Sequence, residues 1–403
     1  MRDYPVFTVT PKAARWVQGG HPWIYDTEIT QAEDASPGAL VDVRGPKGAY
    51  LGTGFYSPAS KIRVRLVSRN ANDRFDDAFW ERRLRYAWEY RRTVMGADTA
   101  ACRVIFGEAD GFPGLTVDRY GDLLAAQTLS AGLEGLKERI FPLLVKVLEA
   151  DGARIQGIFE RNDASIRRLE GLDEEKAWFA LSDRPVPDSA VTEITENGVK
   201  YLVDLENGQK TGFFLDQKYN RAAVARIARG KRVLDCFTHT GSFALNAALA
   251  GAAHVAAADI SEEAVRMAGE NAARNGVALE LLCEDVFDLL PRLVRDGGRP
   301  YDLIILDPPA FTKSRRTADG AERGYREINF RAMKLLPRGG YLATCSCSHF
   351  MEAERFSAVI AAAARDAQVQ LKCIEVRGAA PDHPVLVGVP ETEYLKFHLY
   401  QVV

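Results

Sequence analysis

The sequence is short of several features that would each have fixed a class of protein. Six cysteines in 403 residues are too few for a disulfide scaffold. No apolar run approaches the roughly 20 residues needed to cross a bilayer, so no membrane partner is expected. The opening stretch, MRDYPVFTVTPKAARW, has no apolar signal-peptide core, and a cytoplasmic location is the default expectation. Basic charge is not in excess: 52 Lys and Arg face 55 Asp and Glu, a formal net charge of -3. That argues against a purely electrostatic nucleic-acid binder and leaves room for local basic faces. Internal repeats and low-complexity tracts are absent. With 47% hydrophobic residues, the chain has enough apolar material for two or three domains with their own cores.

The first 70 or so residues read as β-rich. Turn signals recur at Gly19-Gly20, Pro37-Gly38, Gly45-Pro46 and Gly52-Thr53-Gly54, with short runs such as Ala39-Leu-Val-Asp-Val-Arg44 between them. In Lys61-Ile-Arg-Val-Arg-Leu66 strict alternation puts Lys61, Arg63 and Arg65 on one strand face. Such a face can contact phosphates; it can equally be a solvated strand surface. From Asp76 to Met95 the spacing predicts a helix with a stripe of Trp80, Leu84, Ala87 and Trp88. Arg82, Arg83, Arg85, Arg91 and Arg92 are expected on its outer face. Residues from about 100 to 190 read as a small mixed α/β stretch, closed by Asp183-Arg-Pro-Val-Pro-Asp188.

Beyond residue 190 strands and helices alternate, the pattern of a doubly wound parallel sheet. Lys231-Arg-Val-Leu-Asp235 and His254-Val-Ala-Ala-Ala-Asp259 are strands that end in an acid, and Tyr301-Asp-Leu-Ile-Ile-Leu-Asp307 is a fully apolar strand that does the same. Ligands of such sheets bind at the carboxyl ends of the strands. Asp235 is followed by Cys-Phe-Thr-His-Thr-Gly241, whose glycine permits a close backbone approach. Asp259 is suited to ribose hydroxyls, and Asp285, in Leu282-Cys-Glu-Asp-Val286, to an adenine amino group. The loop has no G-x-G-x-x-G and hence no pyrophosphate cradle, so an adenosine ligand without phosphates fits better than a dinucleotide. S-adenosylmethionine (SAM) answers that description.

Two further motifs bear on chemistry. Leu306-Asp307-Pro308-Pro309-Ala310-Phe311 makes a rigid turn beside the cofactor end of the sheet, suited to holding a substrate base. Thr344-Cys345-Ser346-Cys347-Ser348-His349 follows the next strand. Carbon 5 of a pyrimidine becomes nucleophilic when a thiolate adds to carbon 6, and that chemistry needs a cysteine near the methyl donor and an acid near the base. Cys345 and Cys347 share a strand face if the strand persists. Together with His349 they match no standard zinc spacing, and no metal is expected.

The chain resembles a known family. Asn207-Gly-Gln-Lys-Thr-Gly-Phe-Phe-Leu-Asp-Gln217, the Asp235–Gly241 loop, Asp307-Pro-Pro309, Ser346-Cys-Ser348, Asp382-His-Pro-Val385 and Tyr394-Leu-Lys396 occur in the order seen in RlmI-type bacterial 23S ribosomal RNA cytosine-5 methyltransferases. Gly20-His-Pro-Trp-Ile-Tyr25 looks like the start of their PUA RNA-binding domain, and Gly111-Phe-Pro-Gly114 like that of their central domain. The resemblance implies a PUA-like domain over 1–72, a central α/β domain over 73–190 and a Rossmann-like class I methyltransferase domain over 191–403. It implies SAM held by Asp235, Gly241, Asp259 and Asp285, with Phe237, Thr240, Ile260, Val286 and Asp307 beside them. Lys210 and Phe214 lie in the segment that covers the cofactor in that family. Cys347 matches the nucleophile and Asp307 the cytosine-holding acid, with Pro308, Pro309 and Phe311 against the base. The implied partner is large-subunit ribosomal RNA before full assembly, and a homodimer is compatible with the resemblance. The basic run Thr312-Lys-Ser-Arg-Arg316 is expected to order on RNA. In one respect the motif departs from the other large group of RNA cytosine-5 methyltransferases: no cysteine follows Asp307-Pro-Pro309. Asp-Pro-Pro with an aromatic also resembles amino-group methyltransferases, in which the aromatic stacks on a flipped base. A non-catalytic RNA-binding assembly factor and a small-molecule methyltransferase are the remaining readings.

Overall fold

A computed structural model describes residues 3–312 and 318–403, so residues 313–316 of the basic run lie outside the described residues. Two compact units emerge. The first comprises Met1–Ile194, Leu202–Leu215 and Pro381–Thr392; the second comprises Thr195–Tyr201, Asp216–Ala380 and Glu393–Val403.

The first unit holds two sheets. One is six-stranded, in the order Trp23–Tyr25, Ile62–Ser68, Tyr50–Tyr56, Leu40–Arg44, Val6–Val9, Ile29–Ala32. Alternate residues Val41, Val43, Val64 and Leu66 turn inward to join Phe7, Val9 and Ile24 in its core. Gly52-Thr53-Gly54, read above as a turn, lies inside the strand Tyr50–Tyr56. The register shifts at Thr53/Gly54, and a Cβ on Gly54 would overlap the Arg65 carbonyl. That glycine serves a close strand crossing, a use that composition cannot tell from a turn.

The other sheet has five strands, in the order Glu175–Phe179, Gly157–Asn162, Leu123–Thr128, Leu115–Tyr120, Ala101–Phe106. The helix Asp77–Met95 is capped by Asp76, whose carboxylate accepts from Phe79 N at 3.0 Å. Trp80, Leu84, Ala87 and Trp88 are buried as the stripe requires. Arg91 departs from the expected basic outer face, because it is fully buried. Its guanidinium forks onto Asp110 at 2.5 and 2.7 Å and donates to Asp382 O at 2.9 Å. The Asp382 carboxylate in turn accepts from Arg103 N at 2.8 Å, so the Asp382-His383 motif anchors 381–392 within this unit. The segment 202–215 is fixed there too: Tyr120 OH donates to Phe213 O, and Arg161 donates to the carbonyls of Leu205 and Gly208.

The second unit is a doubly wound sheet. Its strands are β1 (Arg232–Cys236), β2 (His254–Asp259), β3 (Glu280–Cys283), β4 (Leu303–Leu306), β5 (Tyr341–Ser346), β6 (Leu371–Arg377) and β7 (Lys396–Val402), in the order β3-β2-β1-β4-β5-β7-β6. β7 is antiparallel to both neighbours. Flanking helices are α1 (Lys218–Ala228), α2 (Ser242–Leu249), α3 (Glu262–Arg274), α4 (Val286–Asp296), α5 (Ala318–Leu335) and α6 (Ala353–Ala367). Both sheet faces are covered. Val233, Val255, Ile305 and Cys345 pack with α1 and α2, while Leu234, Ala256, Leu306 and Leu342 pack with α4, α5 and α6. This explains why β4 reads as apolar without alternation. Among the described residues, no helix is long and apolar enough to cross a membrane.

Candidate active site

The second unit gathers its unusual backbone at the carboxyl end of β1. Phe237 and His239 adopt left-handed conformations (φ 62° and 51°), and Gly241 follows at φ 82°. Each non-glycine residue in that region costs about 1–2 kcal/mol, so the surrounding structure must impose it. The restraints are visible. Thr238 N donates to Ala258 O at 2.9 Å, and His239 N to Asp259 Oδ2 at 2.9 Å. Asp235 Oδ2 accepts from Thr238 Oγ1 at 2.6 Å and from Ala244 N, at the start of α2, at 3.0 Å.

Gly241 has a second reason to be glycine. A Cβ there would stand 3.0 Å from Ala268 Cβ on α3. Gly241→Ala therefore combines backbone strain with overpacking. It is expected to cost about 2–3 kcal/mol and to weaken binding of S-adenosylhomocysteine (SAH). Thermal unfolding with and without SAH checks both, and an unchanged melting temperature would contradict the strained-turn account.

This end of the sheet fits an adenosine-bearing ligand. Asp235 Oδ1 and Thr240 Oγ1 are buried without a hydrogen-bond partner, the sort of orphan that a ligand donor completes. Burial pushes the Asp235 carboxyl up to about 7. Asp259 is half-buried at the tip of β2, and its Oδ1 accepts from Ser261 N at 3.0 Å. Ile260 beside it is 69% exposed and Phe287 38%, an unusual display of apolar surface flanking a half-buried acid. Asp285 caps α4, accepting from Phe287 N at 2.8 Å, and Val286 is buried beneath it. Asp285 thus has a structural task whether or not it also meets a ligand. Lys210 and Phe214 belong to the first unit and form no part of the arrangement that the second unit makes by itself.

A second cluster lies at the ends of β4 and β5. Gln217 Nε2 donates to Asp307 Oδ1 at 3.0 Å, and Asn220 Nδ2 holds Gln217 Oε1 at 2.6 Å. Burial, reinforced by the nearby Asp216 carboxylate, pushes the Asp307 carboxyl up to about 7. Near neutrality this acid can carry a proton to donate. The two cysteines are distinguished sharply. β5 ends at Ser346, so Cys345 and Cys347 do not share a persisting strand face. Cys345 is fully buried with Phe397 and Leu399, its thiol hydrogen-bonded to Asp307 and Gln217, whereas Cys347 is half-exposed. Its thiol lies 3.9 Å from the Pro308 carbonyl, which unites the Asp-Pro-Pro turn and the Ser-Cys-Ser turn in one site.

The serines explain how Cys347 is presented. Ser346 Oγ donates to Tyr325 OH, and Tyr325 OH pairs with Ser348 Oγ, each at 3.0 Å. The turn is pinned on both sides of the cysteine. Tyr325, Gln217, Asp216 and Lys396 were not marked as site residues by sequence reasoning. Asp216, Gln217 and Lys396 stood inside quoted motifs; Tyr325 gave no local signal. Pro309 is exposed, while Phe311 is packed against Tyr325 at 4.6 Å and Phe287 at 5.7 Å. Among the described residues no group of His, Cys, Asp and Glu is assembled to hold a metal ion.

Of the basic strand face in the first unit, only Lys61 is left to solvent. Arg65 is paired with Glu170 at 2.9 Å and Glu108 at 3.4 Å, and Arg63 donates to the carbonyls of Ser57 and Pro58. Alternation identified the face, but the partners come from residues up to 105 positions away.

Known proteins resemble the chain at each level. Residues 7–69 match the PUA-like domain family, and residues 173–396 match the family of S-adenosylmethionine-dependent methyltransferases. The chain is 40% identical over 384 residues to the ribosomal RNA large subunit methyltransferase I of Klebsiella pneumoniae strain 342, covering 93% of each. It is 40% identical over 381 residues to the protein of the same name from Erwinia tasmaniensis, covering 93% of this chain and 94% of that one. Among solved structures, a candidate SAM-dependent methyltransferase from Streptococcus mutans superposes with a TM-score of 0.80 at 21% identity, covering 98% of this chain and all of that one. A candidate methyltransferase complexed with SAH reaches 0.81 at 22% identity, over 98% of this chain and all of that one. At those identities the structures speak for the fold.

Proposed function

The chain belongs to the ribosomal RNA large subunit methyltransferase I family, and from that premise we propose that it methylates carbon 5 of a cytosine in large-subunit ribosomal RNA. The observation that carries the reading is the half-exposed Cys347 thiol against the Pro308 carbonyl, one residue from Asp307, whose carboxyl burial pushes up to about 7. Asp235, Phe237, Thr240, Gly241, Asp259, Ile260, Asp285 and Val286 bind the cofactor. Bound SAM supplies an electrophilic methyl group on a sulfonium. Cys347 sulfur bonds to carbon 6 of the cytosine while Asp307 donates a proton toward ring nitrogen 3, which makes carbon 6 more electrophilic. Carbon 5, now nucleophilic, takes the methyl group. Loss of the carbon 5 proton then expels Cys347, ring nitrogen 3 returns its proton to Asp307, and the aromatic ring is restored. Pro308 and Pro309 hold the base edge rigidly.

Exocyclic amino methylation is disfavoured because the Phe311 ring is committed to Tyr325 and Phe287 rather than free to stack on a base. A half-buried thiol reaches only a cytosine turned out of its helix. That favours RNA before subunit assembly, and hence a cytoplasmic site of action. We divide the first unit into a PUA-like domain over 1–72 and a central α/β domain over 73–190, each with its own sheet. With Arg63 and Arg65 engaged, RNA contact falls to Lys61 and to an open cleft of about 810 Å³ lined by Arg69, Arg82, Arg83, Tyr86 and Tyr90. Arg69 and Arg83 donate to the backbone carbonyls of His21 and Val67. Of the cleft's acids, Glu108 and Asp110 are already taken by Arg65 and Arg91, and Asp73 lies 3.7 Å from the half-exposed Arg82.

Incubating unmodified ribosomal RNA with enzyme and SAM, then mapping the modified base, tests the assignment; methyl on an amino nitrogen, or none, would overturn it. Arg69→Ala with Arg82→Ala is expected to weaken RNA binding about 10-fold and to lower the salt slope of log affinity by about 1–2. Stabilisation by SAH should not change. Sedimentation of the purified chain tests the homodimer.

A further inference from the structure

β7 opens with a lysine where the sheet is buried. Lys396 stands opposite Ser346, the last residue of β5, and is 6% exposed. Its Nζ donates to Ser348 O and to Tyr394 O, each at 2.7 Å. An ammonium has three donors, and two are used. Among the described residues no carboxylate forms an ion pair with it. A buried cation without a counter-ion is unfavourable unless an anion forms beside it. The Ser348 carbonyl that binds Nζ is one residue from the Cys347 thiol, and a Cys347 thiolate is the anion that would compensate.

The surrounding groups point the same way. Cys347 and Ser348 face Lys396 from the end of β5, Glu393 and Tyr394 precede it, and His398 follows on the same face of β7. Asp307, Asp216 and Tyr325 share the field of Cys347. Burial lowers the ammonium to about 8. Burial first, then the Asp307 and Asp216 carboxylates, push the Cys347 thiol up to about 12, while Lys396 pulls it down. Alone, such a thiol is a poor nucleophile at neutral pH.

We propose that Lys396 is the proton-transfer partner of Cys347, and the proposal rests on Cys347 being the nucleophile. The neutral amine takes the thiol proton: the S–H bond breaks, an N–H bond forms, and the sulfur electron pair makes the bond to carbon 6. After methyl transfer the carbon 5 proton departs to solvent water. The carbon–sulfur bond pair returns to sulfur, and Lys396 gives its proton back. One proton is released per methyl group, as the overall substitution requires. Thiol with amine and thiolate with ammonium hold the same number of protons, so the pair reaches its reactive form by shedding one proton. Lys396 thus supplies, from β7, a proton-handling group that the cysteine-free Asp307-Pro308-Pro309-Ala310 turn lacks.

The test is single-turnover formation of the covalent adduct between the full-length enzyme and RNA carrying 5-fluorocytidine, followed against pH. Because Asp307 must keep its proton and Lys396 must lose one, the wild-type rate should rise with pH to about 7, stay level, and turn down at a second break near 8 set by Lys396. Lys396→Arg keeps a cation and donors for both carbonyls but cannot surrender a proton in this range. It should form adduct at least about 100-fold more slowly, with no break near 8, while SAH still stabilises it. If arginine disturbs the fold, Lys396→Met is expected to lose the same break. A wild-type rate and pH break in a folded variant would overturn the inference and leave Cys347 as nucleophile. Absence of any wild-type adduct at Cys347 would overturn the nucleophile assignment and this inference with it.

Discussion

Cys347→Ala is expected to lower methyl transfer by at least about 10³-fold, since it removes the bond on which carbon 5 activation depends. The SAH-induced rise in melting temperature should survive, because the residues proposed to hold the cofactor sit at the ends of β1, β2 and β3. Cys345→Ala is the informative control. Its sulfur is fully buried and hydrogen-bonded to Asp307 and Gln217, so its loss should cost stability, on the order of 1–2 kcal/mol, and lower methyl transfer by about 10-fold at most, through Asp307 alone. RNA carrying 5-fluorocytidine sharpens the comparison, because fluorine cannot leave as the carbon 5 proton does. The adduct should accumulate with the wild type and Cys345→Ala and be absent with Cys347→Ala. Retained cytosine methylation in Cys347→Ala would end the covalent reading.

Asp307→Asn is the second large effect expected, a loss of about 10²–10⁴-fold in the adduct-forming step. The pH dependence gives it a signature. The Asp307 carboxyl stands at about 7, raised by burial and by Asp216. It donates only when neutral, so the rise of the wild-type rate with pH should stop at about 7 and a descending limb should follow above about 8, where Lys396 is already neutral. Asp235 also titrates at about 7 and feels Asp307, so the limb belongs to a coupled pair until a variant assigns it. Asparagine cannot ionise, and in Asp307→Asn this descending limb should vanish. A flat wild-type profile between about pH 6 and 9, or a limb that persists in the variant, would remove Asp307 from the acid role. The ascending limb ascribed to Lys396 has the opposite sign and would survive in Asp307→Asn.

Much of the second unit was legible in the chain because its signals are local. An apolar run that ends in an acid, repeated at Asp235, Asp259 and Asp307, marks buried parallel strands with polar tips, and each acid stands where the doubly wound rule puts ligands. The capping of the 77–95 helix by Asp76 was readable for the same reason: its partners lie within one turn. What the chain could not disclose depends on contacts between distant segments. Gly54 looked like a turn until the strand it crosses was known. Arg65 and Arg91 looked like surface charge until Glu170 and Asp110 were brought to them.

The same division holds at the site. By itself the sequence determined the class of sheet, the acids at its strand ends and the family to which the motifs belong, since periodicity and motif order need no neighbours. The motif already matches Cys347 to the nucleophile; only the tertiary structure decided how the two cysteines differ at the turn of Asp307, Pro308 and Pro309. Strand β5 stops at Ser346, so Cys345 turns into the core while Cys347 is held out by Ser346, Tyr325 and Ser348. The tertiary structure also brought Lys396 onto the Ser348 carbonyl, one residue from that thiol. Antiparallel pairing of β7 with β5 sets Lys396, 50 residues later in the chain, opposite Ser346, and no spacing rule connects positions so far apart.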